Sequence, residues 1–149
     1  MSKTSAENVQ SIVKKFEEFG SWELKYKHII ECGKKLSDFP DQFKEEKFKV
    51  KGCQSQVWLY PEIAVSHDDA NRKVIHFHAD SDASIVKGII AVLLSVYNDL
   101  TPNEVLEVDE SFIDTIGLRQ HLSMSRANGL NSMIKQIKMY ALVYKTQFS

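Results

Sequence analysis

Apolar residues recur along this chain with helical spacing near both ends and in β-branched or aromatic runs between them. The N-terminal spacing of three and four predicts an amphipathic helix over residues 6–19. A second apolar stripe predicts a helix over residues 22–36, capped by Ser21. Residues 48–50, 57–65 and 74–79 have the composition of strands.

The second half of the chain predicts helices only. Residues 85–97 are apolar almost all round, which is typical of a central helix covered on most sides. Thr101, Pro102 and Glu104 form a capping box with proline at the first helical position. Further helices are predicted around residues 112–116 and from about Ser125 onwards. The whole pattern predicts an α+β fold, in which N-terminal and C-terminal helices pack on a small antiparallel sheet of about three strands.

Composition narrows the class of protein without identifying a function. The 149 residues carry a formal net charge of −1, which gives no overall attraction for nucleic acid or an anionic membrane. We find no domain boundary and expect one domain over residues 1–149. Two cysteines are too few for a disulfide framework. The N-terminus lacks the apolar core of a signal peptide, so we expect a cytoplasmic protein that binds neither nucleic acid nor membrane.

Cys53 is the most informative side chain, because it directly follows Gly52 between two predicted strands. Glycine tolerates a positive φ and lets the backbone reverse tightly, which would present the thiol on a turn. Three lysines precede it and would favour the thiolate: Lys47, Lys49 and Lys51. The polar residues Gln54 and Ser55 argue against simple core packing. A buried structural cysteine beside a turn is the alternative.

Other residues have a structural and a chemical interpretation. Cys32 lies on the second predicted helix, where packing is a simpler explanation than a resolving role for a second thiol. His76 and His78 share a strand face and could bind zinc with Cys53, although no further ligand is evident.

Charged and polar residues also occur near predicted helix starts. Asp80 and Asp82 flank the start of a helix, and at least one of them is expected to cap it. Arg126 is unfavourable against the dipole at the start of the last helix, which indicates a role in an interaction. His121 could orient the Cys53 thiolate, or it could be a hydrogen-bonded structural histidine.

Four segments in the same order resemble the SufE family of sulfur acceptors, which work with a cysteine desulfurase in iron–sulfur cluster assembly. The first contains Trp22-Glu23, Lys25-Tyr26 and the Ile29–Gly33 stretch; the second is VKGCQSQVW at 50–58. The third is ADSDA with IVKG at 79–88, and the fourth is QHLSMSRANGL at 120–130. One short motif would be weak support, whereas four collinear segments are specific.

The resemblance implies a SufE/NifU-like fold and a function for the Cys53 turn. Cys53 would accept sulfane sulfur from a SufS-like or CsdA-like cysteine desulfurase and pass it to a SufBCD-like scaffold. The pyridoxal phosphate belongs to the desulfurase, so the chain itself is expected to hold no cofactor and no metal. The motifs are shared by SufE and its paralogue CsdE, so the resemblance leaves both roles open. Loop support or partner binding is expected of Gly52, Gln54, Ser55, Asp82, His121 and Arg126.

Two other classes of function compete with the sulfur carrier. A thiol hydrolase or transferase would use Cys53 with His121, but no oxyanion-hole or substrate-pocket motif accompanies the cysteine. An iron–sulfur scaffold would usually need three or four thiolates, and the chain has two. The sequence therefore favours a sulfur-accepting partner protein over an enzyme.

Overall fold

The structure is a computed structural model that describes residues 5–36, 39–53, 55–66 and 71–148. Two helices come first, α1 (Ser5–Glu17) and α2 (Trp22–Lys34). A hairpin of β1 (Val57–Val65) and β2 (Lys73–Ser81) follows. The remaining helices are α3 (Ser84–Tyr97), α4 (Pro102–Glu107), α5 (Phe112–Thr115) and α6 (Met124–Phe148). This order confirms the predicted α+β class.

The described part of the sheet has two antiparallel strands rather than about three. Its register pairs Val57 with Ser81 at one end and Val65 with Lys73 at the other. The strand predicted at 48–50 is wrong, because Glu46–Phe48 forms a short 3-10 helix. Beyond it, Lys49 makes an isolated bridge to Trp58 before the chain turns at Lys51 and Gly52. The turn follows too closely for a third strand to develop.

Helix α3 is the centre of the core, and ten of its residues are buried. Two glycines let α2 pack against it at backbone distance. A Cβ on Gly33 would lie 2.8 Å from the Gly88 nitrogen, and one on Gly88 would lie 2.4 Å from the Ile29 carbonyl oxygen. Because real Cβ atoms do not approach backbone this closely, neither position has room for a larger residue.

Side-chain hydrogen bonds tie the outer helices to this core. The buried Asn8 amide of α1 donates to the Val96 carbonyl over 2.9 Å. Tyr140 of α6 donates its hydroxyl to the Leu59 carbonyl of β1 over 3.2 Å. The predicted capping box at α4 is confirmed, since Thr101 and Glu104 bond reciprocally. The inner face of the sheet and the apolar face of α6 therefore meet on α3, with the Cys53 turn at their edge.

Membrane insertion would need a long apolar helix. None of the helices in the described part of the chain has the length and apolar character to cross a bilayer.

Candidate functional site

The turn that carries Cys53 depends on glycine at position 52. Gly52 has a φ of 90°, which lies in the region that L side chains rarely adopt. A Cβ there would also come within 2.7 Å of the Ser132 hydroxyl oxygen on α6. The turn therefore needs glycine both for its backbone conformation and for its close approach to α6.

The Cys53 thiol points towards the first half of α6. Its Sγ lies 3.7 Å from the Gly129 carbonyl oxygen, a distance at which the thiol donates a weak hydrogen bond. A Cβ on Gly129 would be 3.2 Å from this sulfur, so a small residue is needed there too. The side chain is half-buried and packs on the hydrophobic core.

Burial raises the pKa of the Cys53 thiol above its ordinary value. The prediction that the preceding lysines favour the thiolate is therefore wrong for this conformation. Desolvation disfavours the charged form, and Lys47, Lys49 and Lys51 do not offset it. The raised pKa favours the protonated thiol in this conformation.

A cavity of about 90 Å³ opens beside the thiol. Its lining is Cys53, Ser55, Val86, Ile89, Ser125, Arg126, Gly129 and Met133. Valine, isoleucine and methionine give it an apolar part, and the two serines give it hydroxyl groups. Arg126 is the only charged residue in this described lining. The structure therefore brings three predicted site residues together: Cys53, Ser55 and Arg126.

Asp82 follows β2 and holds the backbone of the Cys53 loop at Gln56 rather than capping a helix. One carboxylate oxygen of Asp82 accepts the backbone N–H of Gln56 over 3.1 Å. The Asp82 N–H donates in return to the Gln56 carbonyl over 3.4 Å. The N-cap of α3 is Ala83, without a side-chain cap, so the predicted capping by Asp82 is wrong. Gln54, a predicted site residue, lies outside the described residues.

Asp80 does not cap α3 either. Its carboxylate lies 3.4 Å from the Lys44 ammonium and 3.5 Å from that of Lys87. It also accepts the backbone N–H of Ser81 over 2.9 Å. Asp80 thus stabilises the end of β2 through ion pairs and a local backbone contact.

Arg126 occupies the first turn of α6 and is exposed. Its backbone N–H donates to the Ser123 hydroxyl over 3.3 Å, which caps the helix start. Within the described part of the chain, no carboxylate lies within ion-pair distance of its guanidinium. The rim of the cavity therefore carries a cation that is free to meet an external anion.

His121, predicted to belong to the site, does not line this cavity. Its ring stacks on Trp22 with 4.2 Å between centroids. Its Nδ1 lies 2.8 Å from the Gly117 carbonyl oxygen and donates to it. The hydrogen bond of the Cys53 thiol goes to Gly129 instead. The Cys53–His121 pair that a thiol enzyme would require is not formed.

The other cysteine and the strand histidines lie apart from the turn. The Cys32 sulfur is 3.4 Å from the His28 Nε2 on the same helix, and burial raises the pKa of this thiol as well. His76 and His78 face Asp99 and Glu62 at 2.9 and 3.7 Å. Across the described ranges, no three His, Cys, Asp or Glu side chains converge as metal ligands.

Sequence reasoning assigned no role to five residues that line the cavity: Val86, Ile89, Ser125, Gly129 and Met133. Gly129 carried a usable signal. A glycine inside a helix costs roughly 1 kcal/mol relative to alanine, so its presence in α6 indicates a close approach. Val86, Ile89 and Met133 could not be recognised as site residues, because they follow the same helical periodicity as the core residues.

Comparisons with known proteins bear on the family and on the fold of the chain. A family model described as "SufE: Fe-S metabolism associated domain" matches residues 10–141. An uncharacterised SufE-like protein of Rhizobium meliloti (strain 1021) is 37% identical over 135 residues, which cover 90% of this chain and 94% of that protein. The solution structure of a hypothetical protein from Thermus thermophilus resembles the fold with a TM-score of 0.75 at 18% identity. That match covers 93% of this chain and 96% of the other.

Proposed function

The chain belongs to the SufE family of Fe–S metabolism associated domains, and from that premise we propose that it is the sulfur acceptor of a cysteine desulfurase. Cys53 is the accepting thiol. It takes sulfur as a persulfide, stimulates turnover of the desulfurase, and delivers the sulfur to an Fe–S scaffold. The pyridoxal phosphate that releases sulfur from cysteine belongs to the desulfurase.

One observation carries this proposal: the Cys53 thiol lies on a glycine turn beside a cavity whose rim carries Arg126, which has no carboxylate partner among the described residues. A persulfide adds one sulfur atom to the side chain, and the cavity of about 90 Å³ can accommodate it. For scale, a water molecule needs roughly 10–15 Å³ of such space. Shielding protects a persulfide from stray thiols and oxidants. The Arg126 guanidinium could pair with a carboxylate of the docking partner.

The transfer step is a thiol exchange at divalent sulfur. The Cys53 thiolate attacks the outer sulfur of the donor's cysteine persulfide, and a new S–S bond forms on Cys53. The S–S bond of the donor breaks, and its cysteine leaves as a thiolate, which takes up the proton that Cys53 gave up. One persulfide and one thiol thus become one thiol and one persulfide, with no external oxidant or reductant.

Partner docking supplies the activation that the resting thiol lacks. Burial raises the pKa of Cys53, so an outward swing of the turn or charged groups brought by the partner would favour the thiolate. Gly52 gives the backbone the freedom to swing, and the Asp82–Gln56 hydrogen bonds fix the far end of the loop. We place the docking surface around the Cys53 turn, Asp82 and Arg126.

Intact mass tests the proposal. The protein is incubated with a cysteine desulfurase and cysteine in the absence of reductant, and its mass is measured against the Cys53→Ser variant. The wild type should gain the mass of one sulfur atom, and the variant none. An unchanged wild-type mass, with an active desulfurase verified by alanine formation, would contradict the proposal.

A further inference from the structure

A broad groove of about 550 Å³ lies on the other side of the Cys53 turn, between the Glu46–Lys51 segment and α6. Its lining includes four lysines, Lys47, Lys49, Lys51 and Lys135, and one acid, Glu46. We call it the lysine groove. The chain as a whole carries a formal net charge of −1, so this local excess of positive charge is not a consequence of composition.

Two of the four lysines have no carboxylate partner among the described residues, and the other two are paired at the surface. The exposed Lys47 pairs with the exposed Glu45 at 3.5 Å, and the half-buried Lys49 pairs with the exposed Glu46 at 3.8 Å; ion pairs open to solvent in this way are weak. For Lys51 and Lys135, no carboxylate of the described residues lies within ion-pair distance. The lysine groove is therefore available to an external anionic group.

The lysine groove is continuous with the turn that carries the thiol. Lys51 precedes Gly52, and Ser132, which also lines the groove, is the residue that a Cβ on Gly52 would meet at 2.7 Å. Gly129, under the Cys53 sulfur, lies three residues before Ser132 on α6 and so shares its face. A chain segment in the groove would thus reach the edge of the Cys53 turn.

An apolar stripe extends the lysine groove along α6. Met139 lines the groove and is 50% exposed, and Leu142 and Val143 beyond it are 57% and 49% exposed. Lys135, Met139 and Val143 follow one another at intervals of four residues, so they lie in one row along α6. A row of exposed apolar side chains beside lysines complements a protein segment that alternates carboxylates with apolar residues. Nucleic acid would gain little from the apolar stripe.

We propose that the lysine groove binds an acidic, partly apolar segment of the desulfurase that supplies sulfur to Cys53. This inference rests on the proposed function and adds a second contact, on the opposite side of the turn from Arg126. Cations bracketing the turn on both sides would orient the partner over the thiol. They would also speed its association at low ionic strength.

Charge reversal tests this surface. We compare Lys47→Glu/Lys135→Glu with Lys27→Glu, an exposed lysine of α2 outside the groove, by calorimetric titration into the desulfurase at low and high salt. The double variant should bind at least about tenfold more weakly at low salt, with a smaller difference at high salt. Lys27→Glu should bind like the wild type. At saturating desulfurase, Cys53 of the double variant should still gain one sulfur atom by intact mass.

Three results would overturn the inference. The double variant could bind as tightly as wild type, or Lys27→Glu could weaken binding equally, which would indicate only a general charge effect. Alternatively, fluorescein-labelled single-stranded RNA could bind the wild type and not the double variant while desulfurase affinity stayed constant. If the double variant lost its circular dichroism signal, Lys47→Gln/Lys135→Gln would replace it, with an intermediate loss expected. Failure of the proposed function is seen separately, as absence of sulfur on wild-type Cys53.

Discussion

The two cysteines of this chain are similar by simple criteria and differ in what the surrounding structure lets them do. Both are half-buried, and burial raises the pKa of both thiols. Each is also adjacent to a glycine, Cys32 before Gly33 and Cys53 after Gly52. Neither burial nor acidity therefore distinguishes the proposed sulfur acceptor from a structural thiol.

The neighbouring glycines act in opposite ways. Gly33 allows α2 and α3 to pack at backbone distance, with its missing Cβ only 2.8 Å from the Gly88 nitrogen. Cys32 is thereby held on a helix whose position is fixed. Gly52 allows a turn with a φ of 90°, beside a cavity that leaves room at the sulfur. The proposal that Cys53 is the accepting thiol therefore rests on backbone freedom and adjacent space rather than on a lowered pKa.

Replacing each cysteine separately should give the largest difference in desulfurase stimulation. Cys53→Ser should abolish stimulation of the desulfurase, because a hydroxyl cannot form a persulfide. Cys32→Ala should retain most of it and cost stability only through lost packing. Desulfurase turnover is measured at matched circular dichroism. Equal loss in both variants would replace the single acceptor with a relay between two thiols.

Replacing Gly88 or Gly52 with alanine should show that helix packing and the Cys53 turn depend on glycine for different reasons. Gly88→Ala should lower the free energy of unfolding by at least about 2 kcal/mol, because its Cβ would meet the Ile29 carbonyl at 2.4 Å and α2 must shift. Gly52→Ala should cost about 1–2 kcal/mol through strain at positive φ and mainly change Cys53 reactivity. Urea denaturation gives both values.

Gly20→Ala is the matched control for the glycine variants, since nothing lies within 4 Å of a Cβ there. It should change stability by no more than about 0.5 kcal/mol. If Gly88→Ala behaved like this control, the proposed locking of α2 on α3 would be incorrect.

Arg126→Ala tests whether the free cation at the Cys53 cavity acts through binding. Affinity for the desulfurase should fall by about 1–3 kcal/mol, a usual value for a well-placed interfacial arginine. The loss should shrink as salt rises, since wild-type binding then weakens towards that of the variant. Calorimetric titration at two salt concentrations measures it. An unchanged affinity at low salt would restrict Arg126 to a local role at the start of α6.

The pH dependence of alkylation should show the smallest effect, a change of several-fold in rate. Because burial raises the pKa of Cys53, its iodoacetamide rate in the free protein should rise at a higher pH than that of an exposed cysteine. Docking of the desulfurase should move this rise to lower pH. Peptide mapping separates Cys53 from Cys32, and fast labelling of free protein at neutral pH would contradict a shielded thiol.

The same raised pKa has a consequence for stability. The folded protein binds the thiol proton more tightly than the unfolded chain does. This contribution is complete below the thiol pKa of the unfolded chain and is lost as pH rises through the raised folded value.

Local signals in the sequence predicted local structure well. The capping box of Thr101 and Glu104 started α4 where expected, and the run at 57–65 matched the bounds of β1. Gly52 predicted the turn, because glycine tolerates a positive φ wherever it occurs in a chain. These features depend on residues close together in sequence.

Features that depend on distant contacts were not predicted from residue types and spacing, and only the family resemblance implied that Asp82 supports the Cys53 loop. Asp82 had the composition of a helix cap, yet its carboxylate bonds to Gln56, 26 residues earlier. The sequence left His121 available to Cys53, whereas in the fold its ring stacks on Trp22. The lysines predicted a thiolate, but burial of Cys53 against α6 outweighs them. Which residue of a distant element meets a side chain is a tertiary property that spacing does not encode.

Locating the transferred sulfur within one molecule tests the account most directly. Wild-type protein, with both cysteines present, is incubated with desulfurase and cysteine, blocked with an alkylating reagent and mapped by peptide mass spectrometry over time. We predict that the persulfide accumulates on the peptide containing Cys53 and that the peptide containing Cys32 keeps its unmodified thiol. Persulfide on Cys32 at a comparable rate, or on neither cysteine, would contradict the claim that the turn and its cavity define the acceptor.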